Sequence, residues 1–384
     1  MFDINSYMAD LKTICSYDSG RHNREGIDQV LGFFKEHFDA LSFTTQTALT
    51  EGDYYAPTLL VSNIDDKNIL NSDEKFDVLF ISHMDTVFNT EDVKSWPVTI
   101  DENNIAHGPG VIDCKGGCLL VYTILREMQK AGEISFKFVA AMNSDEEGGS
   151  NLSRDYFEKL ADRATYCLVF EPGRAGREFV GIRKGGAKYT VTVHGVGGHS
   201  GADFFKGANA IVELAKWVPE FTSLISRETE TTVNIAKFNG GLDNGQTPDL
   251  AELSMRLLYL DPKAIDQMDE ILKKTKHPFD PRCTIEVHEK GMRRPPMIIT
   301  ENTKKLFECL DVAGKETGVD TTWISTGGMS DGNWVAHHGV GTLDGCGPCG
   351  DHMHTKDECL YVDSVEPRFN VMRQLLLNLF KEET

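Results

Sequence analysis

Three mainly apolar runs in this chain stop on the same kinds of residue, and this limits the folds open to it more than any other feature. VLFIS runs into His83 and Asp85, FKFVAAMN into Ser144-Asp145-Glu146-Glu147, and YCLVF into Glu171. Runs this short, bounded by turn residues, read as buried strands rather than helices. Open α/β sheets bind their ligands beyond the carboxyl ends of the strands. Acids and a histidine gathered there are placed for chemistry, whereas paired glutamates on a helix face would only be solvated.

A parallel sheet needs crossover helices. Residues 4–16 and 24–39 carry helical periodicity, and 115–131 is a further helix with Gly132 as its stop signal. Residues 76–82, 134–142 and 165–170 are the expected strands. The texture changes at about Lys184. AKYTVTVHGV alternates like a half-exposed antiparallel strand, TTVNIAKFNGG and LAELSMRLLYL are two more, and GANAIVELAKWVPEF and AIDQMDEILKKT are amphipathic helices. After Pro295 the αβ alternation returns, closing with a helix over residues 365–382. The expected fold class is therefore α/β, a mixed sheet flanked by helices. Its domain would be discontinuous over 1–183 and 295–384, with an α+β domain inserted at 184–294. A chain of 384 residues is long for one core, which agrees.

Charge and composition narrow the partners. With 39 basic and 59 acidic residues the net charge is −20, which argues against nucleic acid and against anionic membranes. An anionic substrate stays open, because bound cations and local arginines can reverse the sign inside a cleft. No run approaches the 18 apolar residues of a membrane span. The amphipathic, acidic start lacks the parts of a secretory signal, and nine scattered cysteines read as reduced thiols. The expected location is the cytoplasm.

The site residues follow from the strand ends. A metal-binding histidine usually passes its other N–H to an acceptor, and Asp85, two residues after His83, is placed for that. Asp113 stands in GPGVIDCKGG, where glycines let the backbone turn tightly; its other reading is the N-cap of the following helix. Glu171 precedes Pro172-Gly173. Together these residues suggest a metal site built from distant segments, with acids enough for a carboxylate bridging two ions. Cys346-Gly347-Pro348-Cys349 has the spacing of a redox dithiol, but it opens no helical pattern. A reversible disulfide that perturbs the adjoining loop is its second reading.

In this order, HMDTV, GPGVIDCKGG, NSDEEGGS, FEPGR, GGHSG and a terminal HxxxE resemble the motifs of the dinuclear zinc metallopeptidase family. That family holds glutamate carboxypeptidases, aminoacylases, succinyl-diaminopimelate desuccinylases and related dipeptidases. The resemblance runs over about residues 76–363 and is strongest to the glutamate carboxypeptidase branch. It implies a zinc-exopeptidase-like sheet with a ferredoxin-like lid and dimerisation insert, and a homodimer formed through that insert. It also implies two Zn2+ per chain, with Co2+ or Mn2+ as substitutes. His83, Asp113 and Glu171 would hold the first ion, Asp113 would bridge, and Glu147 and His354 would complete the second. Glu146 would stay off the metals as general base, and a cis peptide would follow Asp113. His354 has Glu358 four residues on, as the family pattern asks, whereas its rival His352 has Lys356.

The resemblance implies further that His199 reaches a partner subunit's site and stabilises an oxyanion. Arg256 and Arg294 would grip the substrate's free carboxylate, with Arg293 as the rival of Arg294. Asn244 resembles a substrate-contacting asparagine displaced by one residue, and GGMSDGN, with Gly327, Gly328 and Asp331, resembles a loop at the cleft. The function implied is hydrolysis of an amide bond in a small peptide or N-acyl amino acid, releasing C-terminal glutamate or a similar residue. The alternatives are an N-acetyl or N-succinyl amino acid deacylase or a dipeptidase, and, in another class, a non-enzymatic or redox-regulated zinc protein. The intact Glu146 argues against the last.

Overall fold

The computed structural model of the protein describes residues 2–49, 55–291 and 293–381. The chain forms two compact units, one made of Met1–Ile182, Met297–Thr326 and Ser330–Thr384, the other of Arg183–Pro296 with Gly327–Met329.

The first unit is built on a mixed six-stranded sheet. Its order is Thr44–Ala48, Thr58–Ser62, Phe138–Asn143, Phe76–His83, Ala164–Val169 and Gly341–Leu343. Phe76–His83 runs parallel to both of its neighbours, while Thr58–Ser62 runs antiparallel to Phe138–Asn143. Every residue of Phe138–Asn143 is buried, as is every residue of Phe76–His83 except Asp77. Burial without alternation marks strands covered on both faces. His83 lies opposite Asn143, and Ile81 opposite Val169. The three inner strands thus end at nearly one level, and the residues just beyond them become neighbours. The polar outer strand Thr44–Ala48 (TTQTA) was not among the expected elements, because it lacks the apolar alternation that identifies a strand.

Helix Lys115–Ala131 packs on Phe76–His83, and Ile4–Cys15 and Val365–Leu379 pack on that helix. Leu119, Ile124 and Met128 meet Phe80, Phe138, Leu11, Met372 and Leu375 in one core. The helix ends at Gly132, which adopts φ 69, the left-handed conformation that glycine enters without a steric cost. Its N-cap position is Cys114, with no side-chain cap, so Asp113 is not spent on capping. The last helix ends at Leu379; residue 382, to which it was expected to run, lies outside the described residues.

The second unit is a four-stranded antiparallel sheet in the order Thr232–Gly240, Leu250–Tyr259, Gly185–His194, Thr284–Glu289. Along Leu250–Tyr259 the odd-numbered residues from Ala251 to Tyr259 are buried, and Arg256 is exposed. Leu214, Trp217 and Phe221 of helix Ala210–Thr222 and Met268 of helix Lys263–Thr275 close the core over this face. The strand Thr284–Glu289 was not expected. It lies at the sheet edge and carries Glu286, His288 and Glu289, the charged composition that keeps an open edge from pairing with another chain.

Candidate active site

The site lies at the carboxyl ends of the inner strands of the first unit. His83 closes its strand and is buried. Its Nδ1 lies 3.1 Å from the Asp85 carbonyl oxygen and 3.3 Å from Asp85 Oδ1. Its Nε2 lies 3.1 Å from Asp113 Oδ1 and 3.7 Å from Glu171 Oε1. Asp85, with no exposed surface, has a second task. Its carboxylate accepts the backbone N–H of Glu146 at 3.3 Å and of Glu147 at 3.0 Å. One buried acid thus orients the histidine and fixes the turn that carries both glutamates.

Asp113 faces two histidines, one with each oxygen. Oδ2 is 3.1 Å from His354 Nε2, which is 3.2 Å from Glu147 Oε2. Among the described residues His352 makes no such contact. Glu358, fully buried, accepts the backbone N–H of Ile112 at 3.1 Å and of Asp113 at 3.2 Å, anchoring the loop that presents Asp113. Sequence gave Glu358 only as a spacing marker; what it holds lies 245 residues away. The Asp113–Cys114 peptide bond is cis. At Gly117 a Cβ would overlap the Phe170 carbonyl, so glycine lets the helix start approach the strand end beside Glu171.

The charges at this point call for cations. Burial opposes ionisation of Asp113, but hydrogen bonds from His354 and His83 outweigh it and hold the carboxyl well below its ordinary range. Hydrogen bonds to Asp113 and Glu147 push His354 up to about 11. Burial works against a charge on His83 too, yet Cys114, Asp113, Asp85 and Glu171 together raise it well above its ordinary value. Burial lifts the Cys114 thiol far above its own ordinary value, so it stays neutral and the carboxylates supply that effect. Burial pushes Glu147 up to about 7 against the pull of His354, with Asp113 and Glu146 adding to it. Protons on the imidazoles thus offset a crowd of carboxylates.

A divalent cation answers the same demand, and the donors fit one. Glu147 Oε1 is buried with no hydrogen-bond partner, a loss worth about 1–3 kcal/mol that a bound cation would cancel. His83 with Glu146 and Glu171, and Asp113 with Glu147 and His354, each bring ligand atoms within 4.8 Å of one another. A third group joins His83 and Asp113 to Cys114, but that thiol donates to the Phe170 carbonyl at 3.0 Å. Imidazole and carboxylate donors suit zinc and neighbouring first-row ions.

Further acids brace the turn. Asp145 accepts from Ser153 Oγ at 2.5 Å and from Leu152 N at 2.8 Å. Asp331 of GGMSDGN accepts from Asn143 Nδ2 at 2.8 Å and from the Ser150 hydroxyl. Cys346 and Cys349 of the CGPC segment are both buried; burial holds the Cys346 thiol well above its ordinary value, and Cys349 Sγ accepts from Arg368 Nε at 3.4 Å. The short strand Gly350–Asp351 follows it instead of a helix.

The other sequence candidates belong to the second unit. His199 is exposed, and its Nδ1 accepts the N–H of Gly201 at 3.1 Å and of Ala202 at 3.2 Å. This tautomer leaves Nε2 as an N–H donor. Arg256 is exposed; Arg294 is buried, with its backbone N–H on the Gly186 carbonyl at 2.9 Å. Arg293 is committed elsewhere, paired with Asp269 at 2.6 Å and Glu289 at 2.8 Å. Asn244 is exposed and donates to Gln246 Oε1 at 3.1 Å.

A sequence profile of peptidase family M20/M25/M40 matches residues 79–378. Carboxypeptidase G2 of Pseudomonas sp. (strain RS-16) is 27% identical over 377 residues, covering 96% of this chain and 88% of that protein. The succinyl-diaminopimelate desuccinylase of Pseudoalteromonas translucida (strain TAC 125) is 25% identical over 325 residues, covering 78% and 83%. Among solved structures, aminopeptidase PepT from Bacillus cereus ATCC 10987 has the same fold, with a TM-score of 0.75 over 99% of each chain at 18% identity.

Proposed function

Because the chain belongs to peptidase family M20/M25/M40 and is a metal-dependent hydrolase of that family, we propose that it cleaves the amide bond to a C-terminal glutamate or a similar acidic amino acid. The observation that supports the hydrolytic chemistry is Asp113, whose two oxygens each lie 3.1 Å from a different histidine; the choice of a C-terminal amino acid rests on the likeness to carboxypeptidase G2. A carboxylate so placed suits a bridge between two ions. His83 and Glu171 would complete one position, Glu147 and His354 the other. Two zinc ions bound there would polarise the scissile carbonyl and acidify the attacking water.

The remaining chemistry falls to the chain. Glu146 is the general base. It takes the proton of the attacking water and returns it to the nitrogen of the leaving amino acid. Asp85 holds Glu146 in place through its backbone N–H. His199, with its Nε2–H free to donate, suits a developing oxyanion. Arg256 and Arg294 are the candidates for the α-carboxylate, which a planar guanidinium can hold with two parallel hydrogen bonds, and Asn244 is a candidate for a further polar contact.

On this reading residues 1–183 and 295–384 form the catalytic domain, and 184–294 form a lid and dimerisation domain. A homodimer would cover the exposed Phe204, Phe205 and Leu242 of the second unit. A deacylase is the second reading, favoured by the likeness to a succinyl-diaminopimelate desuccinylase.

A substrate panel separates the two. Zinc-, cobalt- and manganese-loaded protein would be assayed on N-acyl glutamates and glutamyl dipeptides, each with the α-carboxylate free or amidated, and on N-succinyl diamino acids. The expected result is a kcat/KM at least about tenfold higher for free than for amidated glutamate. Indifference to the α-carboxylate would contradict the carboxypeptidase reading, and faster cleavage of N-succinyl diamino acids would favour the deacylase.

A further inference from the structure

A cavity of about 450 Å³ lies wholly within the first unit and shares no residue with the metal-binding and catalytic candidates. That volume is within the range of small-molecule sites. Helix Glu301–Thr317 ends on one side of it, and helix Val365–Leu379 begins on another. Buried Cys349, Ser364 and Arg368 form its floor, and exposed Asp320, Glu366 and Asn370 form its rim.

The floor holds a cation in a fixed place. The Arg368 guanidinium carbon stands 3.6 Å from the centre of the Phe179 ring. Nε and Nη2 each donate to Cys349 Sγ at 3.4 Å, and Nη2 also donates to the Arg177 and Glu178 carbonyls at 2.8 and 3.2 Å. Nη1, on the other side of the fork, is buried with no hydrogen-bond partner among the described residues. A buried donor left unmade is costly. A guanidinium so fixed, with one nitrogen open, is set for an acceptor from outside the chain.

The start of helix Val365–Leu379 adds to that demand. Its N-cap residue, Ser364, makes no side-chain cap. The hydroxyl instead donates to the Tyr361 carbonyl at 2.6 Å and accepts the Cys349 N–H at 2.9 Å. The positive end of a 15-residue helix therefore meets the cavity without a cap. The rim has the opposite sign. Glu366 and Asp320 are acids, Asp320 spending Oδ1 on Thr322 N at 2.9 Å and Thr322 Oγ1 at 2.7 Å. The carbonyl end of helix Glu301–Thr317 lies beside them. Arg177, the other cation at the cavity, is paired with Asp363 at 2.7 Å. Val319 and Pro367 contribute apolar surface.

We propose that this cavity binds a free α-amino acid with an apolar side chain, its carboxylate on Arg368 Nη1 and the helix start, its ammonium at the acidic rim. A plain anion would meet the acids of the rim, whereas a zwitterion satisfies both signs at once. The assignment concerns a second site and does not depend on the amide-hydrolase reading.

The test is calorimetry on the zinc-loaded protein with three probes. These are L-leucine, 3-methylbutylamine, which lacks the carboxylate, and 4-methylpentanoate, which lacks the ammonium. Leucine should bind at least about tenfold more tightly than either. Arg368→Gln should remove that margin. Asn370→Trp, at the exposed rim, is placed to fill the mouth and leaves the buried guanidinium alone, which keeps the proposal testable if Arg368→Gln fails to fold. It should weaken leucine at least about tenfold with the zinc content and the melting curve unchanged. Leucine seated on the zinc ions instead would keep its affinity in Asn370→Trp, and that result would overturn the proposal. Equal affinities for leucine and 4-methylpentanoate would overturn it too, by making the cavity a site for plain carboxylates, as would the absence of leucine binding.

Discussion

Replacing Glu146 by glutamine is expected to lower kcat by about 10²–10⁴-fold, the usual contribution of a positioned general base. Glutamine keeps the size and polarity of the side chain but cannot accept a proton. The turn should not move, because Asp85 holds it through the backbone N–H groups of Glu146 and Glu147. Metal content should therefore match that of the parent protein, as measured by plasma emission on dialysed samples. A variant that loses metal would make Glu146 a ligand, in line with its proximity to His83 and Glu171, and would pass the role of base to Glu147. Undiminished turnover would remove the proposed mechanism.

Asp113→Ala should have an effect at least as large. The side chain is the acceptor common to His83 and His354, so if it bridges two ions as proposed, its loss would take a ligand from both positions at once. Metal content should fall below about one ion per chain and kcat/KM by more than about 10³-fold, since several kcal/mol of transition-state stabilisation go with the ions. Glu171→Ala, which touches only the His83 side, should leave the Asp113–Glu147–His354 position able to bind. If Asp113→Ala keeps both ions, the bridging role is wrong. Melting curves of the metal-free proteins provide the control for folding.

The α/β class and the family resemblance were legible because the inner strands are continuous apolar runs, and the acids and histidine that end them are sequence neighbours of the strands. What long-range contacts decide was not legible. Nothing local tells that Glu358 holds the backbone of Asp113, or that Asp331 receives Asn143, 188 residues apart. Arg293 and Arg294 are neighbours in sequence, and long-range contacts tell them apart: Arg293 pairs with Asp269 and Glu289, whereas Arg294 is buried with its backbone N–H on the Gly186 carbonyl. Asp145 looked like one more acid of the knot, but its carboxylate is spent on Ser153 and Leu152. Thr58–Ser62, a buried inner strand, was also not expected, but Thr44–Ala48 and Thr284–Glu289 share one physical reason. Outer strands bury little, so their sequences need no apolar face.

The most direct measurement is a zinc titration of chelator-treated protein, following activity on an N-acyl glutamate and bound metal in the same samples. The account predicts no turnover without metal and a rise that levels off at about two equivalents per chain, both bound tightly. Turnover that survives complete removal of metal, or a plateau reached with no zinc taken up, would contradict it.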